Sequence, residues 1–140
     1  MLKAQAQTVI IAPSNDVWEL IGGFNSLPDW LPFIRESKLS EGGRVRTLQS
    51  HKGDKIIERL EGFSEDKTFY SYSIINAPFP VSSYLSTISV KAIDDKSCQV
   101  TWFGSFMADD SVKDSDVIEL FTTIYSDGLK ELSNNFVGSV

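Results

Sequence analysis

Two oppositely charged residues, Arg46 and Glu58, are the part of this sequence best suited to chemistry. They lie in consecutive strand-like segments separated by the turn HKGD at 51–54. If that turn holds three residues, centred near Gly53, Arg46 and Glu58 point to the same face of a hairpin. One face of the hairpin would then carry a guanidinium and a carboxylate among apolar neighbours.

Three roles are open for this pair. Apolar surroundings would raise the pKa of Glu58 toward neutrality, so that its carboxyl group could act as a general acid or base. Glu58 could instead form a structural ion pair with Arg46 across the hairpin, since perturbed charged groups also occur in purely structural pairs. As a third role, both groups could anchor the polar end of a ligand.

Aromatic residues at strand and helix spacing are the second group of candidates. Tyr72 and Tyr84 could hydrogen-bond a ligand carbonyl, or they could satisfy their hydroxyls with backbone groups or water. Apolar residues with such periodicity are mostly core residues, although a core residue can also contact a ligand. Trp102, Phe106, Phe121 and Tyr125 are therefore expected to be core residues that can also contact a ligand.

Charge and composition argue against several classes of partner. The formal net charge is -6, and the lysines and arginines form no basic run that would attract a phosphate backbone, so nucleic acid is not a predicted partner. His51, Cys98 and the carboxylates do not recur at metal-ligand spacing, so we predict neither a metal nor another cofactor. The single cysteine and the lack of an apolar run of roughly 20 residues predict a cytoplasmic protein without integral membrane association.

The N-terminal part of the chain predicts one strand and two short helices. Residues 3–11 read as a strand, and Ser14 is a candidate cap for a helix that Gly22 and Gly23 end. Ser26 is a candidate cap for a second helix, which Pro32 stops within about two turns. The chain has no internal repeat or linker, so residues 1–140 are predicted to form a single domain.

The remainder predicts six antiparallel strands followed by one long helix. Strand-like runs from 34 to 109 alternate with turn signals, which makes seven strands in all. A helix of roughly 22 residues follows, capped by Asp114 or Ser115. Its apolar face contains Ile118, Phe121, Ile124, Tyr125, Leu129, Leu132 and Phe136. Gly128 falls within this face, where it would leave space for a close strand or a ligand.

The predicted inner face of the sheet mixes large rings with an arginine, a glutamate, Ser86 and Gly104. A tightly filled core normally avoids this mixture, because a charge removed from water without a partner costs several kcal/mol. A cavity that holds water or a ligand removes the conflict. The apolar cluster at 24–37 places Trp30, Leu31 and Phe33 at the mouth of the V that the two short helices form.

The order of elements resembles the helix-grip fold of the START and birch-pollen-allergen-like superfamily. A more specific resemblance is carried by the segments SLPDWLP (26–32), GGRVRTL (42–48), IIERLEGF (56–63), YSYSI (70–74), APFPVSSYLSTISV (77–90) and VTWFGSF (100–106). In these segments the chain is similar to the polyketide cyclase/dehydrase-like branch of the superfamily, which includes bacterial MxaD-like and XoxI-like proteins. The resemblance implies an α+β fold, with a curved seven-stranded antiparallel sheet around a long C-terminal helix and two short helices between strands 1 and 2.

The same resemblance implies a pocket between sheet and helix. The matching positions that would line it are Trp30, Arg46, Glu58, Tyr72, Tyr84, Trp102 and Phe106. In such a pocket Trp30, Leu31 and Phe33 would form one wall and the gate. Members of the superfamily bind lipids, sterols, polyketides and other apolar molecules, and only some are enzymes. We therefore expect a non-catalytic protein that binds a small hydrophobic ligand, with a ligand carboxylate or carbonyl held by Arg46 or the tyrosines. The sequence does not decide between a monomer and a homodimer in which the second copy closes the pocket mouth.

Two alternatives belong to other functional classes. The first is an aromatase/cyclase- or dehydratase-type enzyme in which Glu58 and the tyrosines direct enolisation of a polyketide-like substrate. The second is a protein-interaction module, which predicts a filled interior and an apolar patch on the outer sheet face. Outward polar residues argue against that second alternative; they are Arg59, Glu61, Thr87, Ser89 and Lys91.

Overall fold

The computed structural model describes residues 1–136 and shows the predicted helix-grip architecture. Seven strands form one antiparallel sheet in the order β1-β7-β6-β5-β4-β3-β2. The strands are β1 (Leu2–Ile10), β2 (Ile34–Ser40), β3 (Val45–Ser50), β4 (Lys55–Ser64), β5 (Phe69–Asn76), β6 (Val81–Asp94) and β7 (Ser97–Ala108). The helices are α1 (Ser14–Ile21), α2 (Leu27–Trp30) and α3 (Asp114–Asn134), and a short 3₁₀ turn covers Glu41–Gly43.

The two short helices carry the chain from one edge strand of the sheet to the other. As predicted, α1 ends at Gly22, and α2 ends where Leu31, the residue before Pro32, adopts an extended conformation. The predicted cap at Ser14 is wrong. The Pro13 carbonyl already accepts hydrogen bonds from the amides of Asp16 and Val17, so Ser14 lies inside the helix.

The long helix α3 packs against β1 and β7. Its predicted caps, Asp114 and Ser115, are also wrong, because the Lys113 carbonyl accepts from the amides of Asp116 and Val117 and the helix begins at Asp114. Phe136 lies beyond the last helical residue, although it still packs against the core.

Strand alternation divides the sheet into an inner and an outer face. Bulges interrupt the pairing of β4 with β5 and of β6 with β7, and bulges bend a strand and increase its twist. The outer face carries the predicted polar residues. It also exposes Leu85, Phe103 and Met107, which the polar prediction did not include. The inner face and α3 enclose the core.

Candidate functional site

A cavity of about 330 Å³ lies between the inner face of the sheet and α3. One end reaches the surface between the β3–β4 turn, the start of β2 and the loop before β6, where Phe33 is 40% exposed. Most of the wall is aliphatic or aromatic. The aliphatic and proline residues of the lining are Leu27, Leu31, Ile34, Leu48, Ile56, Ile74, Pro78 and Ile124.

The β3–β4 hairpin places Arg46 opposite Glu58, as its predicted register required. The Ser50 amide donates to the Asp54 carbonyl, which leaves three residues in the turn and makes Arg46 and Glu58 direct cross-strand neighbours. Both side chains point inward and are buried, with relative exposures of 1% for Arg46 and 6% for Glu58.

The guanidinium of Arg46 is almost fully occupied by protein partners. Its Nε donates to Glu58 Oε1 at 2.8 Å, and one terminal nitrogen forms an ion pair with the same oxygen at 2.7 Å. The other terminal nitrogen donates to the Phe24 carbonyl at 2.9 Å and to the Tyr70 hydroxyl at 3.3 Å. The Phe24 ring centroid lies 4.2 Å and the Tyr72 ring centroid 4.9 Å from the guanidinium carbon, so aromatic rings cover the group.

The second carboxylate oxygen of Glu58 makes no hydrogen bond to the described residues, and Glu58 is part of the cavity wall. Burial raises the pKa of the Glu58 carboxyl, and the charge and hydrogen bonds of Arg46 oppose this rise. Burial alone would lower the pKa of Arg46, but Tyr70, Glu58 and Tyr72 raise it above its usual range. Arg46 therefore stays charged, and Glu58 offers one free oxygen to the cavity.

Five polar side chains on β5, β6, β7 and α3 form two hydrogen-bonded groups beside the cavity. Trp102 Nε1 lies 3.1 Å from both the Tyr72 hydroxyl and Ser86 Oγ and donates to them. The Tyr84 hydroxyl bonds to that of Tyr125. Burial raises the pKa of Tyr125 to about 12 and that of Tyr72 and Tyr84 well above their ordinary value. These hydroxyls thus remain protonated at neutral pH.

Two glycines allow α3 and β7 to pack closely at the aromatic wall. A Cβ on Gly128 would lie 2.6 Å from Trp102 Cζ3, so only glycine lets α3 approach the indole ring. A Cβ on Gly104 would overlap the Tyr125 hydroxyl. The predicted close approach at Gly128 is therefore observed, and its partner is a side chain of β7.

The structure brings seven of the nine predicted site residues to the cavity wall. These are Arg46, Glu58, Tyr72, Tyr84, Trp102, Phe121 and Tyr125. Leu31 and Phe33 also lie where a wall and a gate were predicted.

Trp30 and Phe106 do not line the cavity, and their predicted positions there are corrected. Trp30 packs on Trp102 with ring centroids 5.8 Å apart, and its buried Nε1 has no hydrogen-bond partner among residues 1–136. Phe106 is fully buried and packs against the rings of Tyr84 and Phe121. Phe106 points inward as its strand periodicity predicts, but other aromatic side chains separate both residues from the hollow.

Sequence reasoning did not assign several lining residues. Phe79 and Pro78 lie in the loop before β6, within a segment that carries the family resemblance but for which no site role was predicted. Ile124 was placed on the helix face without a site role, and Ile34, Leu48, Ile56 and Ile74 were treated as ordinary strand residues. His51, Lys52 and Asp54 reach the rim because the hairpin turn that contains them borders the mouth.

Residues 1–136 contain neither a cluster of metal-binding side chains nor a membrane-spanning helix. No group of three or more His, Cys, Asp or Glu side chains is placed to hold a metal ion. None of the helices in this range has both the length and the apolar character needed to cross a bilayer.

With this geometry in place, comparison with known proteins identifies the family. Residues 1–137 match the model of the family described as polyketide cyclase / dehydrase and lipid transport. The chain belongs to this family. A solved structure of the protein XoxI from Bacillus cereus is 52% identical, with 98% of this chain and 96% of that chain covered and a TM-score of 0.94.

Two solved structures with much lower sequence identity share the fold. A START superfamily protein from Mycobacterium smegmatis is 13% identical over 96% of each chain, with a TM-score of 0.78. The Zhui aromatase/cyclase from a Streptomyces species is 16% identical over 94% of this chain and 88% of that chain, with a TM-score of 0.73. These likenesses establish a START-like helix-grip fold for the chain.

Proposed function

We propose that this protein binds a small, largely hydrophobic ligand in the cavity between the sheet and α3. The observation that carries the proposal is the hollow itself, about 330 Å³ and lined mainly by apolar side chains with a few converging polar groups. Small-molecule sites have this composition and a volume of roughly 300–1,000 Å³. The family description, which includes lipid transport, supports the same class of function.

Native mass spectrometry of freshly purified protein tests this proposal. We expect a complex heavier than the polypeptide, and the extra mass should disappear when the same sample is denatured. Binding of an environment-sensitive apolar dye, monitored by fluorescence, provides a second measurement for protein that loses its ligand during purification. A protein that retains no small molecule and binds no apolar probe would contradict the proposal.

A second candidate function is catalysis of the cyclase or dehydratase type. It is favoured by the free oxygen of Glu58, whose pKa is raised by burial, close to tyrosines that stay protonated. Together these groups could remove and return a proton during enolisation of a polyketide-like substrate. One similar fold is an aromatase/cyclase by its name.

The substitution Glu58→Gln separates the two candidates. An enzyme would lose conversion of a polyketide-like substrate by at least about 100-fold while it keeps most of its affinity for that substrate. Glu61→Gln is the matched control, since Glu61 lies on the same strand but is exposed on the outer face. Equal product formation by the wild-type protein and Glu58→Gln would exclude Glu58 as a catalytic acid or base.

A further inference from the structure

We propose that the preferred ligand is a neutral molecule of about two rings that donates a hydroxyl hydrogen bond to Glu58 Oε2. This inference rests on the proposed binding function and specifies the chemistry of the ligand. It also departs from the expectation that Arg46 or the tyrosines hold a ligand carboxylate or carbonyl.

The acceptor is the free oxygen of Glu58. The two Arg46 nitrogens that contact Glu58 both lie against Oε1, at 2.8 and 2.7 Å, and Oε2 receives no hydrogen bond from the described residues. A carboxylate oxygen accepts hydrogen bonds strongly, and leaving one unpaired in an apolar site is unfavourable. A ligand hydroxyl at this position would satisfy it.

An anionic ligand meets no comparable donor in the interior. The nitrogens of Arg46 are directed at Glu58, the Phe24 carbonyl and Tyr70, and aromatic rings cover the guanidinium. The other basic lining residues, His51 and Lys52, lie on the exposed rim, where ion pairs contribute little. A ligand carboxylate would approach the Glu58 carboxylate in a medium of low dielectric, where like charges repel strongly.

The cavity volume limits the size of the ligand. An apolar protein cavity of about 150 Å³ accommodates one benzene molecule. The observed volume of about 330 Å³ is roughly twice that, which corresponds to a fused two-ring compound. Aromatic side chains on several sides favour a planar ring system, because aromatic groups gain from offset or edge-to-face contacts.

Three probes with one ring skeleton test the inference: 2-naphthol, naphthalene and 2-naphthoate. Their affinities at neutral pH would be measured by displacement of an apolar fluorescent dye from the wild-type protein. We expect 2-naphthol to bind about tenfold more tightly than naphthalene, since a hydrogen bond to a charged group has this magnitude. We expect 2-naphthoate to bind at least about tenfold more weakly than naphthalene.

A double variant, Arg46→Met with Glu58→Leu, removes the acceptor without leaving a lone buried charge. It should bind naphthalene but lose the preference for 2-naphthol, whereas the outer-face control Glu61→Gln should keep that preference. Circular dichroism establishes whether the double variant is folded. If it is not, the three affinities of the wild-type protein decide the question.

Each result has a separate meaning. Equal binding of 2-naphthol and naphthalene, or tightest binding of 2-naphthoate, would overturn this inference and leave the proposed binding function intact. Failure of all three probes would overturn the inferred ligand size and chemistry. The proposed function itself would be contradicted only if native mass spectrometry also showed no retained small molecule and the apolar dye did not bind.

Discussion

At the scale of single residues, the Arg46–Glu58 pair shows how this protein tolerates charge in its interior. Removing two charges from water costs several kcal/mol for each ion, and their attraction offsets this cost only with good geometry and further hydrogen bonds. Arg46 has both, through Glu58, the Phe24 carbonyl and the rings around it. The pair also ties the segment after α1 to β3.

Removing one member of this pair should destabilise the protein strongly. For Arg46→Met we expect the free energy of unfolding to fall by about 3–5 kcal/mol, because Glu58 would be buried without its partner. Urea unfolding followed by circular dichroism provides the measurement.

The matched control for this substitution is Arg59→Met on the neighbouring strand, where the arginine is exposed. It should change the free energy of unfolding by less than about 0.5 kcal/mol. The double variant Arg46→Met with Glu58→Leu should be more stable than Arg46→Met alone. If Arg46→Met lowers the free energy of unfolding no more than Arg59→Met does, the Arg46–Glu58 pair does not stabilise the protein as a buried ion pair.

The buried tyrosines predict a loss of stability at alkaline pH. Burial raises the pKa of Tyr125 to about 12, whereas an unfolded tyrosine ionises near pH 10. Between these values the folded state holds more protons than the unfolded state, so the free energy of unfolding falls as the pH rises.

The substitution Tyr125→Phe should make this alkaline fall shallower. Unfolding by urea would be measured for both proteins from about pH 8 to about pH 12, with the range from about pH 6 to 8 as the internal control. In the control range the two proteins should differ by a constant amount. Parallel curves over the whole range would contradict a buried, protonated Tyr125.

At the scale of elements, the contact of α3 with β7 depends on a glycine within the helix. Glycine in a helix costs about 1 kcal/mol relative to alanine, so an exposed helical position would gain from the exchange. At Gly128, however, an added Cβ would lie 2.6 Å from Trp102 and 3.3 Å from Leu31. The steric cost should exceed the gain in helix propensity.

For Gly128→Ala we therefore expect a net loss of about 1–3 kcal/mol in the free energy of unfolding. The matched control is Gly23→Ala, because a Cβ there meets only Ser26 at 3.6 Å, an ordinary contact distance. Thermal and urea unfolding compare the two variants. If Gly128→Ala is as stable as the wild-type protein, α3 does not hold this position against Trp102.

At the scale of the whole molecule, the hollow distinguishes this domain from a fully packed core. Protein interiors are normally close-packed, and a larger side chain forced into such a core costs about 1–3 kcal/mol. A real cavity accepts the same side chain without that cost. A cavity-filling substitution therefore tests the architecture and the binding site together.

The substitution Ile74→Trp should fill part of the cavity, because Ile74 lines it. We expect the affinity for an apolar probe to fall at least about tenfold, while the free energy of unfolding stays equal or rises by up to about 2 kcal/mol. The control Ile75→Trp changes the next residue, which is 51% exposed, and should leave binding unaltered. Strong destabilisation by Ile74→Trp with unchanged probe binding would argue against the cavity.

Local patterns in the sequence were sufficient for most of the fold. The alternation in β6 and β7, the glycine after α1, Pro32 after α2 and the length of α3 each depend on residues close together in the chain. The pairing of Arg46 with Glu58 belongs here too, since it follows from strand alternation across one short turn. The helix caps at Ser14 and at Asp114 or Ser115 were misplaced because side-chain capping preferences do not reveal which carbonyl starts a helix.

The candidate site was only partly predictable, because local patterns do not determine how distant segments pack around the cavity. Periodicity determines which face of an element a side chain occupies, and by itself the sequence determined that Phe106 lies on the inner face, whereas Trp30 was predicted only as part of the cavity wall. It did not determine what lies between them and the hollow, because that depends on how distant segments pack. Only the tertiary structure decided that Trp102 lies against Trp30 and that the Phe24 carbonyl accepts a hydrogen bond from the Arg46 guanidinium. For that reason, the free oxygen of Glu58 became visible only in three dimensions.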